Sequence, residues 1–190
     1  MTSHRYCTAR RIGVLAAGCL LGVIYSNSSF ANPAPQQSIR SDGSPGGETG
    51  LRVPRFVSLK SREARMRVGP SLDYATQWIY RVPGLPLEII AEYDNWRQVR
   101  DCDGVSGWMH RALLSSNRTA LIGPWITSPV PVRTAPRTSA STVAKLEPRV
   151  RLAVRSCDGT WCHVEITGHD LDGFIRQSAL WGVYPNEKVM

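Results

Sequence analysis

Cys157 and Cys162 flank Asp158-Gly159-Thr160-Trp161, and three chemistries are open to such a pair: a disulfide, a metal site or a thiol nucleophile. A metal site is suggested by His163, His169, Asp170 and Asp172 close behind. The spacing argues against it, because zinc hairpins separate their cysteines by about two to four residues and draw a second ligand pair from another element. Adjacent Cys162 and His163 would also point to opposite faces of a strand. For nucleophilic catalysis the tolerable pair is Cys102 with His110, but Asp101 and Asp103 beside the thiol would raise its pKa, the wrong direction for a nucleophile. No cofactor, no metal and no enzymatic activity are expected. The disulfide is the expected state of Cys157 and Cys162, with free buried thiols as the alternative.

The elements that must position these residues occur twice. Leu85, Leu87, Ile89, Trp96 and Val99 return 65 positions later as Val150, Leu152, Val154, Trp161 and Val164, and Gly107-Trp108 returns 66 later as Gly173-Phe174. A run of matches at one offset is a tandem repeat, and a unit of this size is close to the smallest that folds alone. Apolar residues alternate at period two, and 16 Gly with 13 Pro punctuate the chain, so the repeats are expected to be all-β. At the 65-residue offset the counterparts of Cys157 and Cys162 are Glu92 and Arg97. If four residues close each hairpin, both pairs sit directly across the ladder, where a disulfide or an ion pair forms. A two-residue Asp158-Gly159 turn would set the cysteines diagonally instead.

Upstream, Arg10-Arg11 precede an apolar run from Ile12 to Tyr25, and Ser29-Phe30-Ala31 places small residues at a signal-peptidase site. Residues 1–31 therefore read as a cleaved leader, residues 32–54 as a disordered linker, 55–122 and 123–185 as the two domains, and 186–190 as a tail. Ala16-Ala17-Gly18-Cys19 imitates a lipoprotein box imperfectly, since Leu15 lies one place too early. The formal charge of +8 falls to +5 when the leader leaves, 20 basic against 15 acidic residues. Nucleic acid is not an expected partner of an exported chain whose basic residues are not interleaved with a stacking platform.

Met66-Arg67-Val68-Gly69-Pro70-Ser71, the apolar strand, Trp96-x-x-Val99, Gly107-Trp108 and the closing Leu113-Leu114 together resemble the bacterial SH3 domain family, over about residues 62–185. The tandem arrangement, the leader and the ending Trp181-Gly182-Val183-Tyr184-Pro185 are similar to those of tandem SH3 proteins exported by Gram-negative bacteria. The resemblance implies two small five-stranded, partly open barrels, each with a groove between its first long loop and the loop equivalent to Tyr93–Asn95. The polyproline-gripping Ala-Leu-Tyr-Asp-Tyr run of eukaryotic SH3 domains has no counterpart here, so that ligand class does not carry over.

Six basic residues from Arg52 to Arg67 face one acid, Glu63, and read either as a solvated strand edge or as an anion-attracting strip. Trp96, Trp108, Trp161 and Phe174 are repeat-matched and read as core, whereas Tyr74, Trp78, Tyr80 and Tyr93 lack counterparts in the second repeat. The candidate ligand residues are accordingly Arg62, Arg65, Arg67, Tyr74 and Tyr93. Cys102, left over once Cys157 and Cys162 pair, is expected as a free thiol in an exposed turn. The expected function is a non-enzymatic periplasmic binding module for peptidoglycan peptide or an envelope protein. A structural or assembly adaptor acting through a sheet edge is the alternative, as is an accessory factor of a cell-wall hydrolase. The expected state is a monomer that meets the membrane only through an uncleaved leader. Intact mass or N-terminal sequencing of the exported form is expected to show Asn32 as the first residue; retention of residues 1–31 would refute cleavage.

Overall fold

The structure, a computed structural model, describes residues 44, 45 and 47–190; the expected leader, with Cys7 and Cys19, lies outside them. The strands are β1 (Ser44–Pro45), β2 (Arg52–Val53), β3 (Arg55–Leu59), β4 (Ala64–Arg67), β5 (Thr76–Tyr80), β6 (Pro86–Tyr93), β7 (Trp96–Arg100), β8 (Ser106–His110) and β9 (Leu114–Ser115). They continue as β10 (Thr119–Ile122), β11 (Val130–Arg133), β12 (Thr142–Leu146), β13 (Arg151–Asp158), β14 (Trp161–Ile166), β15 (Asp172–Arg176), β16 (Leu180–Trp181) and β17 (Lys188–Val189). One antiparallel sheet runs β5-β4-β8-β7-β6-β3-β9 and the other β12-β11-β15-β14-β13-β10-β16, the same order twice. The chain is thus all-β, with two tandem SH3-like domains.

Each sheet closes over its own apolar cluster. Leu59, Met66, Leu87, Val99 and Met109 fill the first, and Ile122, Val132, Leu152, Val164 and Ile175 the second. The repeated glycine of Gly107-Trp108 and Gly173-Phe174 has a steric cause. A Cβ on Gly107 would stand 2.8 Å from the carbonyl oxygen of Arg67, and one on Gly173 would stand 2.7 Å from that of Arg133. A backbone crosses each glycine at a distance no side chain tolerates.

Glu92 pairs with Arg97 across β6 and β7, and Cys157 pairs with Cys162 across β13 and β14. Cys157 and Cys162 form the disulfide. Four residues separate the members of each pair, and in the second hairpin the Asp158 carboxylate closes the turn by accepting from the N–H groups of Thr160 and Trp161, both at 2.7 Å. In the first hairpin Arg97 Nε lies 3.3 Å from Glu92 Oε1, and Arg55 bonds the same oxygen. Burial pushes the Glu92 carboxyl up, but the bonds from Arg55 and Thr49 prevail and hold it at about 2.

The structure corrects four boundaries or states. The linker was expected to be disordered to residue 54, yet β1 pairs with β2, and Thr49 donates through its backbone N–H (2.9 Å) and hydroxyl (2.8 Å) to Glu92. A buried carboxylate supplies the anchor that composition could not show. The first domain was read as ending at Ile122, yet β10 pairs with β13 and β16 and so opens the second domain. Its offset from β3 differs from that of the other strands, with Ile122 N–H bonding Val150 O as Leu59 N–H bonds Leu85 O, and the repeat pattern therefore missed it. The tail is partly a strand, with Lys188 opposite Asp158 and Val189 opposite Cys157. Cys102, expected in an exposed turn, is half-buried beside Arg149, whose Nη1 lies 3.6 Å from its Sγ. The 101–104 turn is also less exposed than its composition implies. Asp101 is buried and accepts from Tyr80 Oη (2.8 Å), Val105 N–H (2.9 Å) and Asp103 N–H (3.0 Å).

The two domains pack against each other. Phe56 meets Trp181 edge-on, with ring centroids 5.2 Å apart, and Tyr184 at 4.7 Å; Tyr184 Oη donates to Glu88 Oε1 at 2.9 Å. Leu121 of β10 is buried in the first domain's cluster. Arg149 forks onto both oxygens of Asp103 at 3.1 and 2.6 Å, and Arg151 bonds the carbonyl of Pro83. Arg149 has φ of 70° where its counterpart Gly84 has 75°, so a residue with a side chain occupies a left-handed position that suits glycine. The interdomain fork is what that side chain supplies.

The hairpin clamps set two stability expectations. Replacing both Cys157 and Cys162 by serine should cost about 2 kcal/mol in urea unfolding, the loop-entropy value for so short a closed loop. Glu92→Gln should cost about 3 kcal/mol, because it strips Arg55 and buried Arg97 of their carboxylate. The folded pKa of Glu92 lies below its ordinary 4.5, so its contribution is complete above that value and is lost as pH falls toward about 2. The Gln variant should show a correspondingly flatter acid-side stability curve.

Candidate binding groove

Period-two alternation in β4 sends Ala64 and Met66 into the core and Arg65 and Arg67 to the opposite face. Between that face, the β4–β5 loop and the 3-10 turn at Arg111–Leu113 lies a groove of about 310 Å³, lined by Glu63, Arg65, Arg67, Leu72, Trp96, His110 and Leu113. Trp96 and His110 are cross-strand partners, their rings edge to face at 5.6 Å. His110 Nδ1 accepts from Ala112 N–H at 3.3 Å, which places the proton of the neutral ring on Nε2 as a donor. The groove therefore offers two guanidinium groups, an imidazole N–H and an indole edge beside apolar Leu72 and Leu113.

The five residues expected to bind ligand are not all brought together. Arg65 and Arg67 line the groove, whereas Arg62, Tyr74 and Tyr93 are not among its lining residues. Arg62 is exposed in the loop before β4, and Tyr93 is exposed at the β6–β7 turn, opposite Trp96 in the ladder. Tyr74 folds its ring over Gly69, where a Cβ would stand 2.7 Å from it. Arg67 commits one N–H to the carbonyl of Tyr74 at 2.6 Å, and Arg133 makes the same bond to Ala140 at 2.7 Å in the second domain. Part of the work of Arg67 is thus to hold the loop. The strip is also partly neutralised, since Glu63 lies 3.9 Å from Arg65 and 3.2 Å from Arg81.

Trp96 and His110 escaped the sequence reading as groove residues. Trp96 was assigned to the core because it is repeat-matched, and it is indeed 8% exposed, but its remaining edge faces the groove. Trp78 and Tyr80, considered for the surface, pack into the first domain's cluster.

The bacterial SH3 domain family matches the chain twice, over residues 60–116 and 127–182. The chain belongs to the bacterial SH3 domain family. No curated protein matches it. Two solved structures, NlpC2 and NlpC1 from Trichomonas vaginalis, are similar at 14% and 13% identity, each with a TM-score of 0.30. The matches cover 69% and 71% of this chain but 49% and 48% of those, so it spans about half their length.

Within this bacterial SH3 pair the Trp96–His110 ladder pair has a counterpart, Trp161 opposite Arg176. The Arg176 guanidinium lies over the Trp161 ring, 4.4 Å from its centroid. Both domains thus set a basic side chain against an indole at the same place in the sheet, and that recurrence was the available signal for His110. Arg67→Met should leave the core intact but cost about 1 kcal/mol for one hydrogen bond. Amide hydrogen exchange should rise across residues 68–75 and stay unchanged in β6 and β7; unaltered exchange in the loop would count against a holding role.

Proposed function

We propose that the chain is a non-enzymatic binding module of the cell envelope, periplasmic after export, whose first domain takes carboxylate-bearing cell-wall peptide in the groove. The observation that carries this reading is the convergence of Arg65, Arg67, Trp96 and His110 on one cleft of the first bacterial SH3 domain. Carboxylates of a peptide meet the two guanidinium groups, the imidazole N–H supplies a third donor, and Leu72 and Leu113 receive apolar side chains. Exposed charge pairs contribute roughly 0.2–1 kcal/mol each, so the affinity is weak and sensitive to salt.

Cosedimentation with purified sacculi tests it. Retention at low salt, loss at high salt and loss in a Trp96→Ala/His110→Ala double variant are the expected results, and no retention at low salt removes the cell-wall reading. A second reading has its own observation: the sheets end at β5 and β12, whose outer edges pair with no other strand among the described residues. Such an edge accepts a strand from another envelope protein. Cross-linking in cells that traps a protein and no glycan favours that adaptor.

A further inference from the structure

A second cleft, of about 640 Å³, opens where the two domains meet, away from the groove of the first domain. That volume lies in the range of small-ligand sites. Its apolar wall comes from Phe56, Leu180, Trp181 and Val183, all contributing to the interdomain packing or the second core. Trp125, 52% exposed, adds a broad indole surface; its ring rests on Gly123, where a Cβ would stand 2.4 Å away. A large aromatic held in place yet left open to solvent is unusual on a surface whose other aromatics are mostly packed.

The polar lining is cationic. Glu88 is buried and satisfied, one oxygen taken by Arg100 through Nε (2.8 Å) and Nη2 (2.6 Å) and the other by Tyr184 Oη (2.9 Å). Arg100 neutralises it and remains 36% exposed in its side chain. Arg176 stands over Trp161 with no carboxylate within salt-bridge distance among the described residues. The nearby Asp158 carboxylate is engaged by backbone N–H groups. Among the lining residues Arg100 and Arg176 outnumber Glu88 by one charge, while the ionised Asp158 just outside the lining is electrostatically coupled to Arg176.

Gln177 adds direction. It is buried, and its Nε2 donates to the carbonyls of Tyr184 (2.5 Å) and Glu187 (3.1 Å), which fixes the amide orientation because both partners are acceptors. Its Oε1 is buried without a hydrogen-bond partner among the described residues. A buried acceptor left unsatisfied is costly, and a small side-chain shift that opened it to the cleft would let it take an N–H donor.

We infer that the interdomain cleft binds the carboxyl-terminal end of a peptide: the carboxylate between Arg100 and Arg176, the last amide N–H on Gln177 Oε1, and an apolar terminal side chain against Trp125 and Val183. This site is distinct from the groove around Trp96, and only the packed pair of domains forms it.

The probes are N-acetylphenylalanine and its primary amide, titrated into the full chain while the indole N–H signals of Trp125 and Trp96 are followed by NMR. The expected result is that the acid shifts Trp125 and the Gln177 side-chain amide but not Trp96. Affinity should fall about tenfold or more for the amide and in Arg176→Leu, as befits loss of a charge-assisted hydrogen bond. Arg176 and Trp125 are both exposed, so Trp125→Ala serves as the second variant if Arg176→Leu unfolds. The acid–amide comparison needs no variant at all. Equal affinity for acid and amide, no shift of Trp125 at the solubility limit, or a shift confined to Trp96 would each overturn the inference. Failure here leaves sacculus binding through the first groove untouched, and failure of sacculus binding leaves this site standing.

Discussion

A buried carboxylate organises the first domain. Glu92 draws Arg55 from the opening strand, Arg97 from across the ladder and Thr49 from the preceding segment onto one side chain that is wholly shielded from solvent. Removing a charge from water is costly, and the cost is offset only when nearly every lone pair finds a donor, so three separate pieces of chain are committed to one place. The second domain occupies the same ladder position with a disulfide, which needs no other donors. The ion pair that Arg55 makes there has a relative in Arg118, which reaches Glu187 at 2.7 Å near the start of the closing strand. Two solutions to one packing problem, electrostatic and covalent, thus coexist in a single chain.

That difference extends to the sites. In the first domain the basic partner of the ladder tryptophan is an imidazole held by a backbone N–H, and the groove beside it is walled by the domain's own β4 face and loop. In the second the partner is a guanidinium lying on the indole, and Arg176 faces a cleft completed by Phe56, Glu88 and Arg100 of the first domain. Equivalent positions in the two sheets therefore open onto chemically different surroundings. The duplication conserves the scaffold and changes what is built against it.

Much of the fold was legible because strand periodicity and the 65-residue offset report core packing directly. Ala64 and Met66, and Leu85, Leu87 and Ile89, are buried as their alternation demands. The cross-strand disulfide was legible because its ion-pair counterpart stood at the same offset. What was not legible depended on contacts distant in sequence. Tyr80 reads as a surface aromatic until its hydroxyl finds Asp101, 21 positions away. The role of Thr49 requires knowing that Glu92 is buried, and β10 was hidden because Thr119-Ala120-Leu121-Ile122 matches Phe56-Val57-Ser58-Leu59 in hydrogen bonding rather than in residue type. For the groove, the basic strip supplied Arg65 and Arg67, whereas the unmatched-aromatic rule chose Tyr74 and Tyr93, which do not line it, and passed over Trp96, since one side chain can pack in a core and still show an edge to the groove.

Only Ser116, Asn117 and Arg118 separate β9 from β10, and Arg118 is itself bonded to Glu187. With Phe56 and Arg149 bridging the same junction, the connection has no slack, and the two sheets hold one mutual orientation. A flexible tether would let a second contact form over a wide range of spacings, at an entropic cost that grows with tether length. A joint without slack inverts that behaviour. A partner whose two epitopes matched the spacing would gain its second contact at a high effective concentration, while one whose spacing differed would gain nothing.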